Sequence, residues 1–594
     1  MIYEKMEHWI GSWCDTLLRH QVEEGLESWR GGILCPACRR IHGRCGDAIF
    51  PMYVMFVRSG KEKYRASARR LVQYMQGQQL YDGSWLNDEP FDWKGTTLFQ
   101  TLSLCHAYDY LNRSGHLSET DAIKDMIEKS AQWTSWAFGE RNIRSTNMNY
   151  WMTSAAVLEW CFKITGQALY SEQARSLIQY ALSHINHDGF IIGELDGTGL
   201  RSLDNIDIGY NMDMSLAALA EYAELTGDAR VRSEAVRAMG AHVNFIYPDG
   251  SMDNSFGSRS YKWTLFGSKT AHGCQMALMM LADQDSRFAQ AAEDNADYLI
   301  TRCMMEDGFI GNGPRHAELF REPCIHPLIN RADAWATALI YGKAPAAHAS
   351  HAAAKPSSMQ CYPSLRTCHV RSGPWAATIT TYGAHNSATG GAISYLWHQK
   401  RGPVQLASAT EYSRNELINM PEFPVPYKGP VTPRIEGRRG QNYFSSLYEY
   451  DGCLQELHID RPEATVSGKL KSGDGFGQLD SHIAYTIHYR FTEHGIEKHY
   501  RFLVQFAVNT LSVIEPLVLL PDTEVTIAGD GLVLNDQSGV VRMRGEEGIF
   551  RMDDVHPDER NSSIFPAVIC FPAHWKAVDL APGIYEFKLS IFIE

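Results

Sequence analysis

Four short segments concentrate the side chains able to do chemistry. CPACRRIHGRCGDA carries Cys35, Cys38, His42, Arg44, Cys45 and Asp47, and RSTNMNYWMTSAAVLEW carries Asn147, Asn149, Tyr150 and Trp151. LDNIDIGYNMDMS carries Asp204, Asp207, Tyr210, Asn211 and Asp213, and SRSYKWTLFGSKTAHG carries Arg259, Tyr261, Lys262, Trp263, Lys269 and His272. In the first segment, Cys35, Cys38 and Cys45 with His42 could give three thiolates and an imidazole to a structural zinc ion. The plainer reading makes the cysteines small buried fillers, with His42 and Arg44 facing a cleft. In the second, an Asn at a helix start is ordinarily a cap. Two amides beside Tyr150 and Trp151 would also suit a sugar subsite. The third segment holds more polar groups than a cap requires, and the fourth is basic and aromatic.

All four clusters stand at the entrance to a helix, where unpaired N–H groups and the helix dipole favour anions. A basic, aromatic-lined site in an acidic chain (55 Lys plus Arg against 69 Asp plus Glu, net charge −14) implies a substrate with a negative group. A sugar acid fits better than a phosphate, because neither a P-loop nor a dinucleotide-binding glycine fingerprint occurs. The net charge argues against a nucleic-acid partner, whose footprint is a basic patch. No apolar run is long enough for a membrane span. The first twenty residues read as an amphipathic helix rather than a secretory leader, so the expected location is cytoplasmic. Thirteen cysteines, an odd number in a large chain, give no expectation of a disulfide framework. A homo-oligomer is left open.

The elements that must position these clusters show in an internal repeat. SGKEKYRASARRLVQYM, TGQALYSEQARSLIQYA and TGDARVRSEAVRAMGAHV align on Gly60, Gly166 and Gly227, each joining two helical patterns. Asp-Gly turns recur at Gly83, Gly189, Gly250 and Gly308, each followed by an apolar residue (Trp85, Phe190 and Phe309 among them). A period of 50–60 residues with two helices per unit predicts stacked hairpins closed into an (α/α) toroid, with one loop face used for binding. The helical pattern stops near Tyr341, and residues 342–358 read as a linker. Beyond them the period becomes two (WAATITTYG, HIAYTIHYRF, EKHYRFLVQF), which predicts an antiparallel β-sandwich over 359–594. His385 and Asn386 fall in a Gly- and Ser-rich loop of that domain, suspected of facing the helical one.

Helical toroid plus β-domain, with NMNYW followed one hairpin later by DIGYNMDMS, resembles the polysaccharide lyases of the heparinase II/III-like and alginate-lyase type. The resemblance spans essentially the whole chain in architecture, while its motifs match loosely: no clear Asn-His pair is present. It implies Asn149 in the loop one hairpin before the catalytic tyrosine, Tyr210 as the catalytic phenol and His385 as a histidine contributed by the β-domain. It also implies an acidic oligosaccharide or polysaccharide as substrate, a rhamnose–glucuronate exo-lyase being one member of the group. The chemistry of such an enzyme is β-elimination. The C5 proton of a uronate leaves, the C4-linked sugar departs and a C4=C5 double bond forms.

That proton becomes acidic only when the carboxylate is neutralised, for which Asn149, Arg44 and Lys269 are candidates. Tyr210 could act as base and acid, and since an ordinary phenol titrates near 10 it needs a cationic neighbour. His272, Arg259 and His42 are candidates for that neighbour. Asn147, Tyr150, Trp151, Asn211, Tyr261 and Trp263 complete the expected binding set. The competing class is an α/α glycoside hydrolase, which needs two carboxyl groups about 5–5.5 Å or roughly 6.5–9.5 Å apart. Asp47, Asp88, Glu194, Asp207 and Asp213 supply acids for it. A binding protein without catalysis accounts for the aromatics but not for so many His, Tyr and Lys at helix entrances.

Overall fold

The computed structural model describes residues 2–88, 93–143, 146–195, 204–320, 322–346, 357–412, 414, 416, 420, 422, 430–458, 462–473 and 480–594. Among these, five helix hairpins follow one another: Ile49–Ser59 with Glu62–Gln78, Gly95–Arg113 with Asp121–Ala137, Met148–Thr165 with Ala168–Leu182, Leu216–Thr226 with Ala229–His242, and Cys274–Met280 with Ser286–Tyr298. A sixth pair joins the two ends of the helical region, Ile2–Arg19 against His326–Tyr341. The first helix of each hairpin, together with His326–Tyr341, touches the next in an unbroken circle, so the hairpins close a toroid. The seam is packed by Trp13 and Trp335, fully buried with ring centroids 4.5 Å apart.

The repeat glycines explain the geometry. Gly60, Gly166 and Gly227 end their helices in the left-handed conformation (φ 69°, 75° and 70°), each donating its N–H to the carbonyl four residues back. The Asp-Gly glycines do something the sequence does not announce: each seats on the outer helix of the next pair. A Cβ at Gly83 would stand 2.2 Å from the Lys129 carbonyl oxygen, and one at Gly250 only 1.9 Å from that of Asp294. The last of them, Gly308, meets Thr16 of the first helix, so the same contact also closes the ring. Trp85, Phe190 and Phe309 beside these turns are buried core residues, not the lining of a binding face.

The second part of the chain is built of antiparallel strands. Five consecutive strands, from Ser357–Tyr362 to Gly402–Leu406, form one sheet in chain order, and the other strands form a larger sheet against which it packs. Trp375–Thr380 and Ala392–His398 are buried at every residue because the small sheet is covered on both faces. One face packs on the larger sheet. From the other, Tyr395 reaches Ser251 Oγ at 2.7 Å, Thr378 meets the Tyr247 hydroxyl at 2.6 Å, and the Ser394 hydroxyl donates to Asp253 at 2.8 Å. The first strand begins at Ser357, just inside the stretch read as a linker, of which residues 347–356 lie outside the described residues.

One expectation about cysteine is corrected. Cys361 and Cys368 form a disulfide between paired positions of the first two strands, and the other eleven cysteines are thiols. A pairing seven residues apart across a hairpin leaves no trace in an odd total. Among the described residues no helix is long and apolar enough to cross a membrane.

The tryptophan contact at the seam gives a stability prediction. Trp335→Ala removes a fully buried indole and is expected to cost about 3–5 kcal/mol. A thermal or denaturant midpoint indistinguishable from the wild type would show that the seam does not hold the ring.

Candidate active site

All six inner helices begin on one face of the toroid, and the chemistry-bearing residues sit at those beginnings. Arg44 and Asp47 precede Ile49–Ser59, Phe99 lies in the first turns of Gly95–Arg113, and Asn149 opens Met148–Thr165. Tyr210 ends the short helix Ile208–Tyr210, which runs on through Asn211–Ser215 into Leu216–Thr226, and His272 precedes Cys274–Met280.

Tyr210 is the centre of this mouth. Its hydroxyl lies 2.5 Å from the Thr270 hydroxyl, and Lys262 Nζ donates to it at 3.4 Å. The Arg259 guanidinium stands 4.4 Å from the ring centroid, while Phe99, Met214, Ala271 and Tyr150 pack around the ring. The tyrosine is placed by Asp207, whose carboxylate accepts the backbone N–H of Tyr210 at 2.8 Å and of Arg259 at 2.7 Å, with the Asn254 amide at 3.1 Å. Burial pushes the Asp207 carboxyl above its ordinary range, and these donors oppose that shift.

Asn149 is held in the same way. Its side-chain amide donates to both oxygens of Glu194, at 2.9 and 2.8 Å, and its backbone N–H donates to Oε1 at 2.7 Å. The helix is therefore capped by a carboxylate from another loop, and Asn147, which occupies the cap position, makes no capping bond with its side chain. Asn147 instead donates to the Leu195 carbonyl at 3.4 Å. Burial pushes Glu194 up to about 7, although Arg259 at 3.8 Å and the amide bonds pull the other way.

A second wall is made by Arg44, which is fully buried. Asp47 holds it at 2.6 Å, it lies 4.5 Å from the Phe99 centroid, and it donates to His272 Nε2 at 2.9 Å. Burial, then the Arg44 charge, brings His272 down to about 3. This corrects one candidate role: His272 is neutral, with its lone pair facing a guanidinium, and is no cationic partner for Tyr210. Lys262 and Arg259 are the cations that face the phenol. His42 also points elsewhere, with Nδ1 on Asp88 at 3.0 Å.

Several expected binding residues belong to packing. Trp263 is fully buried and donates to the Met252 carbonyl at 2.6 Å. Asn211 is turned into the hairpin, bonded to the Ile191 carbonyl and to His242, each at 3.0 Å. Trp151 stacks on Tyr180 at 3.9 Å along an outer groove. Tyr261 packs with Leu319, Phe320 and Phe565 where toroid and β-domain meet. Lys269 is buried, and its charge, after burial, lowers His316 to about 4.

Tyr150 stays at the mouth, its hydroxyl bonded by the Trp93 indole and its phenol pushed up by burial. From the β-domain, half-buried His385 sits in a loop that docks on the toroid. There the Ser387 hydroxyl donates to the Gly257 carbonyl at 2.7 Å, and Ala388 N–H donates to Ser255 at 3.1 Å. This is the segment that carries Arg259.

The five acids considered for hydrolysis are all anchors. Asp47 holds Arg44, Asp88 holds His42 and Gly43 N–H, Glu194 holds Asn149, Asp207 caps Tyr210, and Asp213 binds Arg331 and Ser268 N–H. Of the first cluster, Cys45 is separate, lying against Met75 sulfur at 3.8 Å. A cysteine missed by sequence reasoning, Cys324, joins Cys35, Cys38 and His42 in a group of possible metal ligands. Its only signal was a position just ahead of an inner helix. Thr270 and Phe99, neutral and unremarkable in sequence, were missed for the same reason.

A closed ring of helix hairpins with a tyrosine, an amide and two cations at one mouth, joined to an antiparallel β-domain, defines a polysaccharide lyase. Residues 10–358 match the ulvan lyase N-terminal domain and residues 359–593 the ulvan lyase C-terminal domain, so the chain belongs to the ulvan lyase family. It cleaves a uronic-acid-containing glycan by β-elimination. It is 28% identical over 468 residues to a broad-specificity ulvan lyase of Formosa agariphila, covering 75% of this chain and 72% of that one. Among solved structures, heparinase III aligns with a TM-score of 0.58 at 10% identity, over 98% of this chain and 85% of that one. A mutant heparan sulfate lyase from Pedobacter heparinus aligns with a TM-score of 0.55 at 11% identity, over 100% and 83%. At such identities these two show the shared fold.

The Glu194–Asn149 clamp predicts a pH dependence. The folded carboxyl, raised to about 7 from an ordinary 4.5, binds more protons than the unfolded one between those values. Its contribution to stability is therefore complete below about 4.5 and is lost as pH rises through about 7. The amide clamp needs the ionised form, so kcat/KM should fall below about pH 7. Glu194→Gln should remove that acidic limb and lower the plateau about tenfold, the equivalent of one weakened charge-assisted bond. An unchanged profile in the variant would separate Glu194 from the reaction.

Proposed function

We propose that the substrate is ulvan, or an oligosaccharide derived from it, and that the elimination runs at Tyr210. The observation that carries this reading is the hydroxyl of Tyr210 facing the Lys262 ammonium, with Arg259 on its ring and the Asn149 amide fixed beside Arg259 by Glu194. The family membership and the Formosa agariphila relative support the choice of glycan.

The uronate carboxylate lies against Arg259 and Asn149, the amide passing one of its two N–H bonds from Glu194 to the sugar, and both draw charge from it as the C5–H bond breaks. The Tyr210 oxygen takes the C5 proton as a phenolate attended by Lys262. The electron pair forms the C4=C5 double bond and expels the C4 oxygen, which recovers the proton from Tyr210. Arg44 and neutral His272 form the wall that keeps Phe99 against the tyrosine. His385 approaches from the β-domain as a contact to the sugar bound across the mouth. Each role in the elimination falls to a side chain of this protein.

Incubation with ulvan oligosaccharides should yield the ultraviolet absorbance of a conjugated unsaturated uronate. Tyr210→Phe should lower kcat by about 10²–10⁴-fold with the fold intact by circular dichroism. New reducing ends without the chromophore, or a Tyr210→Phe variant of near-normal activity, would refute the proposal.

A further inference from the structure

The cysteine cluster is not used by the elimination, yet it is built with care. Cys35, Cys38 and His42 come from the loop before the first inner helix, and Cys324 from the turn entering the last one. Their ligand atoms all lie within 4.8 Å of one another. Cys324 Sγ is 3.9 Å from the sulfurs of both Cys35 and Cys38, and 3.7 Å from His42 Nε2.

These spacings can be compared with a real coordination sphere. Sulfurs about 2.3 Å from a zinc ion at tetrahedral angles stand about 3.8 Å apart, and a nitrogen at about 2.05 Å stands about 3.6 Å from each sulfur. The three separations from Cys324 are close to these, and no pair of the four donors is more than 4.8 Å apart. A disulfide would require about 2.05 Å.

The surroundings prepare the same donors. Cys35 Sγ accepts the backbone N–H groups of Cys38 and Ile325, both at 3.4 Å, which hold the sulfur in place. His42 Nδ1 is engaged by Asp88 Oδ2 at 3.0 Å, while Asp88 Oδ1 takes Gly43 N–H at 2.7 Å. That fixes the imidazole with Nε2 toward the sulfurs, the outer-sphere arrangement of a metal-bound histidine. Beside them, His326 is buried with its ring 5.4 Å from that of His42, and both its nitrogens lack a hydrogen-bond partner among the described residues.

We propose that Cys35, Cys38, His42 and Cys324 bind one structural zinc ion. Three thiolates and one imidazole complete a tetrahedron, so no position is left for substrate. The ion fastens the loop before the first inner helix to the entrance of the last one. It thereby spans the seam of the toroid and holds Arg44, two residues beyond His42, against Phe99 and His272. Cys45, though nearest in sequence, has no part in the site.

Elemental analysis of the full chain purified without added metal should find about one zinc per chain. Cys324→Ala and Cys38→Ala should lower this to background, while Cys45→Ala keeps it. Stripping with a strong chelator should lower the thermal midpoint, and stoichiometric zinc should restore it. Should the cysteine variants fail to fold, cobalt exchanged into the wild type decides. Tetrahedral thiolate ligation gives an intense visible spectrum with a sulfur-to-metal charge-transfer band, unchanged in Cys45→Ala. Three results overturn the proposal: background zinc in wild-type protein after zinc repletion, equal loss of zinc in Cys45→Ala, or a disulfide mapped by peptide analysis between two of Cys35, Cys38 and Cys324, all thiols in the structure.

Discussion

The mouth of the toroid depends on buried carboxylates that take the place of water at the helix entrances. Asp207 is the clearest. Fully enclosed, it accepts the N–H groups of Tyr210 and Arg259 and the amide of Asn254, so one side chain sets the phenol and its nearest guanidinium at the same time. Glu194 does this for Asn149, and Asp213 for Arg331 and Ser268. A buried charge is stable only when its hydrogen bonds are met. Each acid therefore forces the loops around it into one arrangement. This also explains how an acidic chain presents basic groups at one mouth: part of its negative charge is buried beneath them, on Asp207, Asp213 and Glu194.

Ring closure supplies the frame in which these anchors act. Each of the four Asp-Gly turns of the helical region at Gly83, Gly189, Gly250 and Gly308 seats on the outer helix of the next pair, and for Gly308 that helix is the first one of the chain. The inner helices consequently start on a common face, and their N-termini converge. Convergence matters for a substrate whose reactive carbon becomes acidic only as its carboxylate is neutralised, because several dipoles and cations then act on one small volume. The β-domain completes the mouth by burying its smaller sheet on both faces and lowering the His385 loop onto the segment that carries Arg259.

Much of this was legible in the residues themselves. The left-handed caps at Gly60, Gly166 and Gly227, the change of period after Tyr341 and the four polar clusters at helix entrances are local features. A glycine with positive φ, an apolar face every 3.6 residues or a strand alternation is imposed by the nearest few residues. Those features were enough to define a helical toroid followed by an antiparallel β-domain, and to find Asn149 and Tyr210 one hairpin apart.

What only the tertiary structure decided was the direction and company of each side chain. Trp263 and Asn211 share segments with Arg259 and Tyr210 but turn into the core, and the acids that a competing hydrolase would have used are anchors. Cys45 lies ten residues from Cys35 yet is separate, whereas Cys324, 289 residues away, stands 3.9 Å from it. The physical reason is the closure of the ring. It brings the first and last inner helices together through contacts of long sequence separation, and such contacts leave no periodicity, spacing or composition in the chain from which to read them.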